Sequence, residues 1–333
     1  MKKATRFAVL GGGSWATALV KMLCENLPEV VWYMRSAEAV EYIGREGHNP
    51  NYLSSVELDT SKLRLTADIN QAVAQADLLI FAIPSAFLES ELAKLQEPLQ
   101  GKIIFSAIKG IVPESGRIVG EHFHEKYGIP YRSIGVITGP CHAEEVALER
   151  LSYLTIACTD KRKARLVADA LSSSYIKTKV SPDIIGTEYA AMLKNIYAIA
   201  AGIAHGLGYG DNFQSVLMSN AIREMKRYVK RLYNIDRNIN HSAYLGDLLV
   251  TGYSTFSRNR MFGNMIGKGY TVKSAMMEMS MVAEGYYAAK SAYKIKENFK
   301  KEVKTPIIDA VYKVLYEQKN AKKVFAELAD QMS

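Results

Sequence analysis

The chain has 333 residues, 48% hydrophobic and 23% charged, with a net charge of +8. That length exceeds the usual single core, so two domains are expected, and the composition is that of an ordinary globular protein. The positive balance favours anionic partners, a requirement that phosphorylated metabolites meet as well as nucleic acid does.

Cys24, Cys141 and Cys158 form no CxxC spacing and are read as free thiols in a reducing compartment. At the N-terminus, MKKATR leads into only four apolar residues, Phe7–Leu10, too few for a secretory signal. No later stretch reaches the ~20 apolar residues of a membrane span, so a cytoplasmic location is expected. There is no internal repeat and no low-complexity tract, and the six histidines show no metal-ligand spacing, so no metal is expected.

Phe7–Leu10 reads as a short buried strand, followed at once by Gly11-Gly12-Gly13-Ser14-Trp15-Ala16. Ser14 is placed to cap a helix through Ala18, Leu19, Met22 and Leu23. Strand, glycine turn and helix are the setting in which this spacing signals a dinucleotide site. Gly11 makes the turn, Gly13 admits the pyrophosphate to the backbone, and Ala16 allows close helix–strand packing. The next strand, Val30–Met34, ends in Arg35 where an enzyme restricted to NAD would carry an acid. Arg35 suits a 2′-phosphate or the adenine face, so NAD or NADP is the expected cofactor.

Alternation continues through Leu78–Ile83, Lys102–Ala107, Ile134–Thr138, Tyr153–Ala157 and Ile176–Val180, with helices near 86–95, 116–127 and 161–172. The pattern is that of an α/β, doubly wound, mostly parallel Rossmann-type sheet. Ligands in such sheets lie off the carboxyl ends of the strands. Lys109-Gly110 and Gly139-Pro140-Cys141-His142-Ala143 follow strands in this way, and Lys109 suits an anionic ligand.

After Val180 the alternation stops, which predicts domains at 1–180 and 181–333, the second all-helical. Within it, Thr187–Asn212 carries a single formal charge between Glu188 and Asp211, that of Lys194. Its helical face-mates Ala190, Ala191, Tyr197, Ala198 and Ala201 are nearly all small, which leaves room beside an ammonium. A lysine in apolar surroundings has its charged form disfavoured, bringing its pKa toward the range of proton transfer. The competing interpretation is close helix packing by the small residues with the lysine reaching to water.

Lys226, Arg227, Lys230 and Arg231 form a basic cluster at helical spacing, read as a solvated face. Asp247 and Thr251 follow, Asp247 being suited to hold a hydroxyl or Lys194 itself. Ser257-Arg258-Asn259-Arg260 places two guanidiniums, an amide and a hydroxyl within four residues, a set that holds phosphate oxygens. Val282-Ala283-Glu284-Gly285 offers a carboxylate for ribose or nicotinamide-side contacts. Residues 290–331 read as lysine-rich helices serving packing and solvation.

Together these motifs resemble the NAD(P)-dependent sn-glycerol-3-phosphate dehydrogenases of the bacterial type. The likeness runs from Phe7 to about Pro306-Ile307. Its most specific parts are Lys194-Asn195, Gly208-Tyr209-Gly210-Asp211-Asn212, Gly246-Asp247-Leu248 with Thr251, and Ser257–Arg260. The resemblance implies a Rossmann domain and a helical substrate and dimerisation domain, usually in a homodimer. It also implies interconversion of dihydroxyacetone phosphate and sn-glycerol 3-phosphate, which supplies phospholipid synthesis.

By motif match, Lys194 would be the catalytic proton donor and acceptor at the C2 oxygen. Lys109, Gly139, Lys194, Asp247, Thr251, Ser257, Arg258 and Asn259 would bind substrate. Gly11, Gly13, Ser14, Trp15, Arg35, Lys109, Ala143, Arg258, Val282 and Glu284 would bind the cofactor. The expected partner is a small phosphorylated substrate, with no nucleic-acid or membrane partner.

Ala16 departs from the family pattern, which usually has a third glycine there. Cys141-His142 stands where Ser or Thr and then Phe are frequent, and Ser242-Ala243-Tyr244 stands where glycines are usual. A 2-hydroxyacid dehydrogenase of similar architecture, and a non-catalytic NAD(P)-sensing or nucleic-acid-binding module, are the competing functions. Ser257–Arg260 favours phosphate over a carboxylate, and the chain carries no nucleic-acid motif.

Overall fold

The computed structural model describes residues 4–279 and 283–332. These divide into two compact units. One holds the residues up to Ile108 with Arg117–Ile184; the other holds Lys109–Gly116 with the residues from Ile185 onward. The segment after the fifth strand thus belongs with the helical unit, which a single cut at 180/181 does not capture.

The first unit is built on eight strands: β1 (Phe7–Leu10), β2 (Val30–Tyr33), β3 (Leu63–Thr66), β4 (Leu78–Phe81), β5 (Ile103–Ser106), β6 (Ile134–Thr138), β7 (Ser152–Cys158) and β8 (Ile176–Ser181). Their spatial order is β8-β7-β6-β5-β4-β1-β2-β3. Neighbours pair in parallel except β6 and β7, whose register sets Ile137 opposite Ile156 in antiparallel sense. Read from β3 to β6, this is the 3-2-1-4-5-6 order of a dinucleotide-binding sheet. The helices around it are α1 (Ser14–Asn26), α2 (Ala37–Glu46), α3 (Ile69–Gln75), α4 (Ser85–Leu92), α5 (Val119–Tyr127), α6 (Ala143–Ala147) and α7 (Lys161–Leu171).

Every residue of β1, β2, β4 and β6 is buried, as expected of parallel strands covered on both faces. The edge strand β8, IKTKVS, instead interleaves lysines, which discourage pairing with another chain. The expected strands ending at Met34 and Ile83 stop at Tyr33 and Phe81. Met34 and Ile83 stay buried, because an apolar run reports burial rather than ladder pairing. The edge strand β3 and helices α2 and α3 have no counterpart in the sequence reading. β3, LRLT, is too short and too polar to stand out.

The second unit is helical: α8 (Ile184–Gly206), α9 (Asp211–Leu232), α10 (Asp247–Tyr253), α11 (Arg258–Gly267), α12 (Val272–Glu278), α13 (Glu284–Glu297), α14 (Pro306–Leu315) and α15 (Ala321–Ala329). From Gly186 to Ala204 every residue of α8 is buried, so the helix is covered on all sides rather than amphipathic. α8 and α11 cross at backbone contact through two glycine pairs. A Cβ on Gly202 would lie 2.1 Å from the Arg260 carbonyl oxygen, and one on Gly206 2.4 Å from that of Asn264. From the other side, a Cβ on Gly263 would lie 2.1 Å from the Ile199 carbonyl oxygen, and one on Gly267 2.3 Å from that of Ile203. Small residues of α8, Gly202 and Gly206, therefore serve helix packing as well.

α9 carries a buried acid, Glu224, whose two carboxylate oxygens accept the backbone N–H groups of Ile307 and Ile308 at 2.9 and 3.1 Å. It caps the first turn of α14, where those donors lack helical partners. Burial pushes its pKa from 4.5 up to about 8, with the two backbone donors pulling the other way.

Two predictions follow from this packing. Between its ordinary pKa and about 8, the folded state binds more protons at Glu224 than the unfolded chain does. Its contribution to stability is therefore full below pH ~4.5 and is lost as pH rises through ~8. Glu224→Gln removes that slope, read as urea midpoints at about pH 5 and pH 8. Gly263→Ala costs at least about 2 kcal/mol because its methyl group meets backbone. Gly44→Ala, inside α2 with Leu65 Cδ1 at 3.7 Å from the added Cβ, raises stability by up to about 1 kcal/mol. Chemical denaturation of the two variants separates these signs.

Candidate active site

In the first unit the turn after β1 is held tightly. Gly11 has φ +135, and a Cβ there would sit 2.4 Å from the Ala82 carbonyl oxygen, so only glycine fits. Its carbonyl accepts the Trp32 indole N–H at 2.7 Å and its N–H donates to Tyr33 O at 2.9 Å. Gly13 is the opposite case: a Cβ there would meet nothing within 4 Å, leaving the backbone open to approach.

The helix begins at Ser14, not after it. Gly13 holds the N-cap position and contributes no side-chain bond, so the expected Ser14 cap is absent and Ser14 is buried in the first turn. Helix N-terminal amides and dipole favour a phosphate, and this end has no side chain capping it. These features fit a dinucleotide, whose pyrophosphate would lie against Gly13 and the α1 N-terminus. Trp15 packs against the core cluster.

Arg35 is exposed beyond β2, with its guanidinium 5.8 Å from the Phe87 ring centroid on α4. Ser36 caps α2 through Ala39 N–H and donates to Glu38 at 2.8 Å. Gly139 follows β6 with φ +123, and a Cβ there would lie 2.5 Å from Tyr153 O, so close backbone approach accounts for this glycine. Ala143 is the buried first residue of α6, and its neighbours Cys141 and His142 are buried and half-buried. Cys24, Cys141 and Cys158 are all free thiols.

In the second unit, Lys194, Asp247, Thr251 and Lys109 come together. Lys194 is 4% exposed, and its Nζ donates to Asp247 Oδ1 at 2.5 Å and to Thr251 Oγ1 at 2.8 Å. Thr251 Oγ1 in turn donates to the Asp247 carbonyl oxygen at 2.6 Å, so its lone pairs are left facing the ammonium. Lys109 Nζ lies 3.7 Å from Asp247 Oδ2, and its carbonyl accepts the Asn195 amide at 2.7 Å. One carboxylate thus faces two ammoniums. Burial brings the Lys194 pKa down from 10.5 to about 8, Lys109 pushes the same way, and Asp247 opposes both. The lysine does not reach to water; it is held by hydrogen bonds inside the fold.

Ser257, Arg258 and Asn259 open α11 and are only partly free for a ligand. Ser257 is the N-cap and accepts Arg260 N–H at 3.3 Å. Asn259 Oδ1 accepts Gly285 N–H at 2.8 Å, which ties the α11 N-terminus to that of α13. Glu284 is the half-buried first residue of α13. Val282 lies outside the described residues.

Two contributors escaped the sequence reading. Asn49, 1% exposed, donates to Gly12 O at 3.1 Å and Thr17 Oγ1 at 2.8 Å, bracing the glycine turn from a distant loop. Nothing local marks a lone loop asparagine for that task. The other is a π-helical turn, Ser242–Gly246, immediately before Asp247. Such turns re-aim the residues that follow them and recur at functional sites.

Comparison with known proteins bears on both units. The family model for the N-terminus of NAD-dependent glycerol-3-phosphate dehydrogenase matches residues 6–164, and that for its C-terminus matches residues 183–326. Glycerol-3-phosphate dehydrogenase [NAD(P)+] of Bacillus velezensis is 36% identical, with 97% of this chain and 92% of the relative covered. The protein of the same name from Bacillus subtilis (strain 168) has the same identity and coverage. A crystal structure of glycerol-3-phosphate dehydrogenase from Coxiella burnetii matches with TM-score 0.88 and 27% identity, covering 97% of this chain and 98% of that one. With both halves matched and relatives more than a third identical over nearly the full length, the chain belongs to the NAD-dependent glycerol-3-phosphate dehydrogenase family.

Proposed function

We propose that this chain is an NAD(P)-dependent oxidoreductase interconverting dihydroxyacetone phosphate and sn-glycerol 3-phosphate, with Lys194 as the proton donor and acceptor. The observation that carries the residue assignment is the buried Lys194 ammonium, hydrogen-bonded to Asp247 and Thr251 with its pKa brought to about 8. A nicotinamide cofactor would supply or take the hydride, and the chain's residues would bind, orient and move the proton.

Reducing the ketone builds negative charge on the C2 oxygen, which needs a proton donor within hydrogen-bond reach. Two of the Lys194 protons are directed at Asp247 and Thr251, which leaves the third for the substrate oxygen. Asp247 keeps the amine charged until transfer, while burial and Lys109 make the proton easier to give up. Lys109 has its own ammonium 3.7 Å from the other Asp247 oxygen and would hold the substrate.

Arg258 and Asn259, at the α11 N-terminus, and Ser257 beside them would take the phosphate, so that binding energy far from C2 orients it. Gly11, Gly13, Ser14 and Trp15 would cradle the pyrophosphate. Arg35 would meet the adenosine end, and Gly139, Ala143, Val282 and Glu284 would complete the two binding surfaces. No helix among the described residues is long and apolar enough to cross a membrane. A cytoplasmic homodimer, supplying glycerol phosphate for phospholipid synthesis, is the setting consistent with the family.

The tests are kinetic. Lys194→Ala lowers kcat by about 10³-fold while NADPH still binds with near wild-type affinity; near-normal turnover would remove Lys194 from the mechanism. Ketone reduction needs the ammonium and falls as pH rises through about 8, whereas alcohol oxidation needs the neutral amine and rises over the same window. Arg35→Ala raises KM for NADPH about tenfold and leaves NADH nearly unaffected, if the guanidinium meets a 2′-phosphate. Assaying dihydroxyacetone phosphate against 2-keto acids separates this function from a 2-hydroxyacid dehydrogenase.

A further inference from the structure

The basic cluster on α9 has a feature that the sequence could not show. Arg227 Nε and Nη2 both donate to the Lys304 carbonyl, at 3.3 and 3.2 Å, which brings the end of α9 against the segment following α13. Tyr228 seals the same seam: its hydroxyl donates to Ala292 O at 2.9 Å and its ring meets Phe299 at 5.3 Å. Lys230 and Arg231 share the Arg227 face of α9, three and four residues on. Lys300, Lys301 and Lys304 lie across the seam, and all six basic side chains are exposed.

Residues 227–232 and 297–304 therefore hold six basic residues against Glu297 and Glu302, half of the chain's net charge of +8. Part of that charge complements the C-terminal end of the α9 dipole, which amounts to about half an elementary charge. Among the described residues none of the six forms an ion pair. By contrast, neighbouring Lys296 is paired with Asp309.

We infer that this face docks the enzyme reversibly on anionic phospholipid bilayers. Clusters of four to eight Lys and Arg are attracted to an acidic leaflet by about 1 kcal/mol each, without a pocket and without penetration. Single-stranded nucleic acid would need open aromatic faces for its bases. Here Phe299 lies against Tyr228 and Tyr293 stacks on Tyr312 at 3.8 Å, so Tyr233, 45% exposed after Arg231, offers one open ring rather than the series that base stacking uses. The choice of lipid among polyanions rests on the function proposed above, since glycerol phosphate is consumed by acylation to products that partition into membranes. The charge argument itself does not depend on that function. The sequence reading expected a merely solvated face and no membrane partner; the second basic segment across the seam is what changes this.

The test is flotation of the full chain with phosphatidylcholine vesicles and with vesicles containing about one-third phosphatidylglycerol. The expected result is binding to the acidic vesicles alone, abolished when salt is raised from about 0.05 M to 0.5 M. A Lys230→Glu/Arg231→Glu/Lys300→Glu/Lys301→Glu variant loses at least about a hundredfold in partitioning with unchanged kcat. The corresponding quadruple Gln variant shows an intermediate loss. Equal binding to neutral vesicles, or undiminished binding by the Glu variant, would overturn the proposal. So would retention on duplex DNA at protein concentrations below those needed for vesicles. Because turnover is measured separately, failure of lipid binding and failure of the dehydrogenase function give different results.

Discussion

The second unit is arranged around keeping one ammonium out of water. An isolated buried charge is costly, and the group would ordinarily shed its proton or find a partner. Lys194 has two partners, Asp247 Oδ1 and the Thr251 hydroxyl, and Thr251 is itself anchored to the Asp247 backbone. Lys109 then shares the same carboxylate, so that the charge balance is deliberately incomplete. Burial and the Lys109 charge bring the Lys194 pKa from 10.5 down to about 8, against the pull of Asp247.

Holding that geometry requires rigid backbone on every side of α8. The two glycine pairs at the α8–α11 crossing bring the helices to carbonyl contact, where a single methyl group would push them apart. α13 is tied in by Asn259 through Gly285 N–H, and a Cβ on Gly285 would lie 2.6 Å from Asn195 O. Asn195 meanwhile fixes the Lys109 carbonyl. Lys194, Asp247, Thr251, Asn259 and Lys109, from three helices and one loop, thus share a common backbone frame. The glycines and the amides do structural work that makes the charged residues useful.

The first unit follows the same division of labour on a simpler plan. Gly11 is wedged between β2 and the chain leaving β4, and Asn49 braces the turn from below. These contacts shape a loop in which Gly13 alone remains open. The helix end is then left without a side-chain cap, contrary to the role expected for Ser14, and a phosphate is the group that would satisfy it.

The sequence by itself determined a great deal. Short apolar tetrads bounded by glycine or polar turns fit strands covered on both faces, and the loss of that alternation after Val180 marks the change to longer helical segments. Lys194, alone in an apolar helix, was legible because a charge there must have a reason. Local patterns carry such information because propensity and periodicity act within a few residues. The Asp247 hold on Lys194 was among the sequence expectations; tertiary structure alone decided the other distant meetings: Thr251 on Lys194, Asn49 under the glycine turn, Glu224 on the α14 N-terminus, and Lys304 beside Arg227. It also gave Ser257 and Asn259 a helix-end role beside the phosphate contact expected of them, and brought Gly202 and Gly206 into a glycine-to-backbone crossing with α11. Those partnerships depend on side-chain atoms separated by tens of residues in the chain, whose encounter is fixed by packing and by the cost of leaving a buried polar group unpaired.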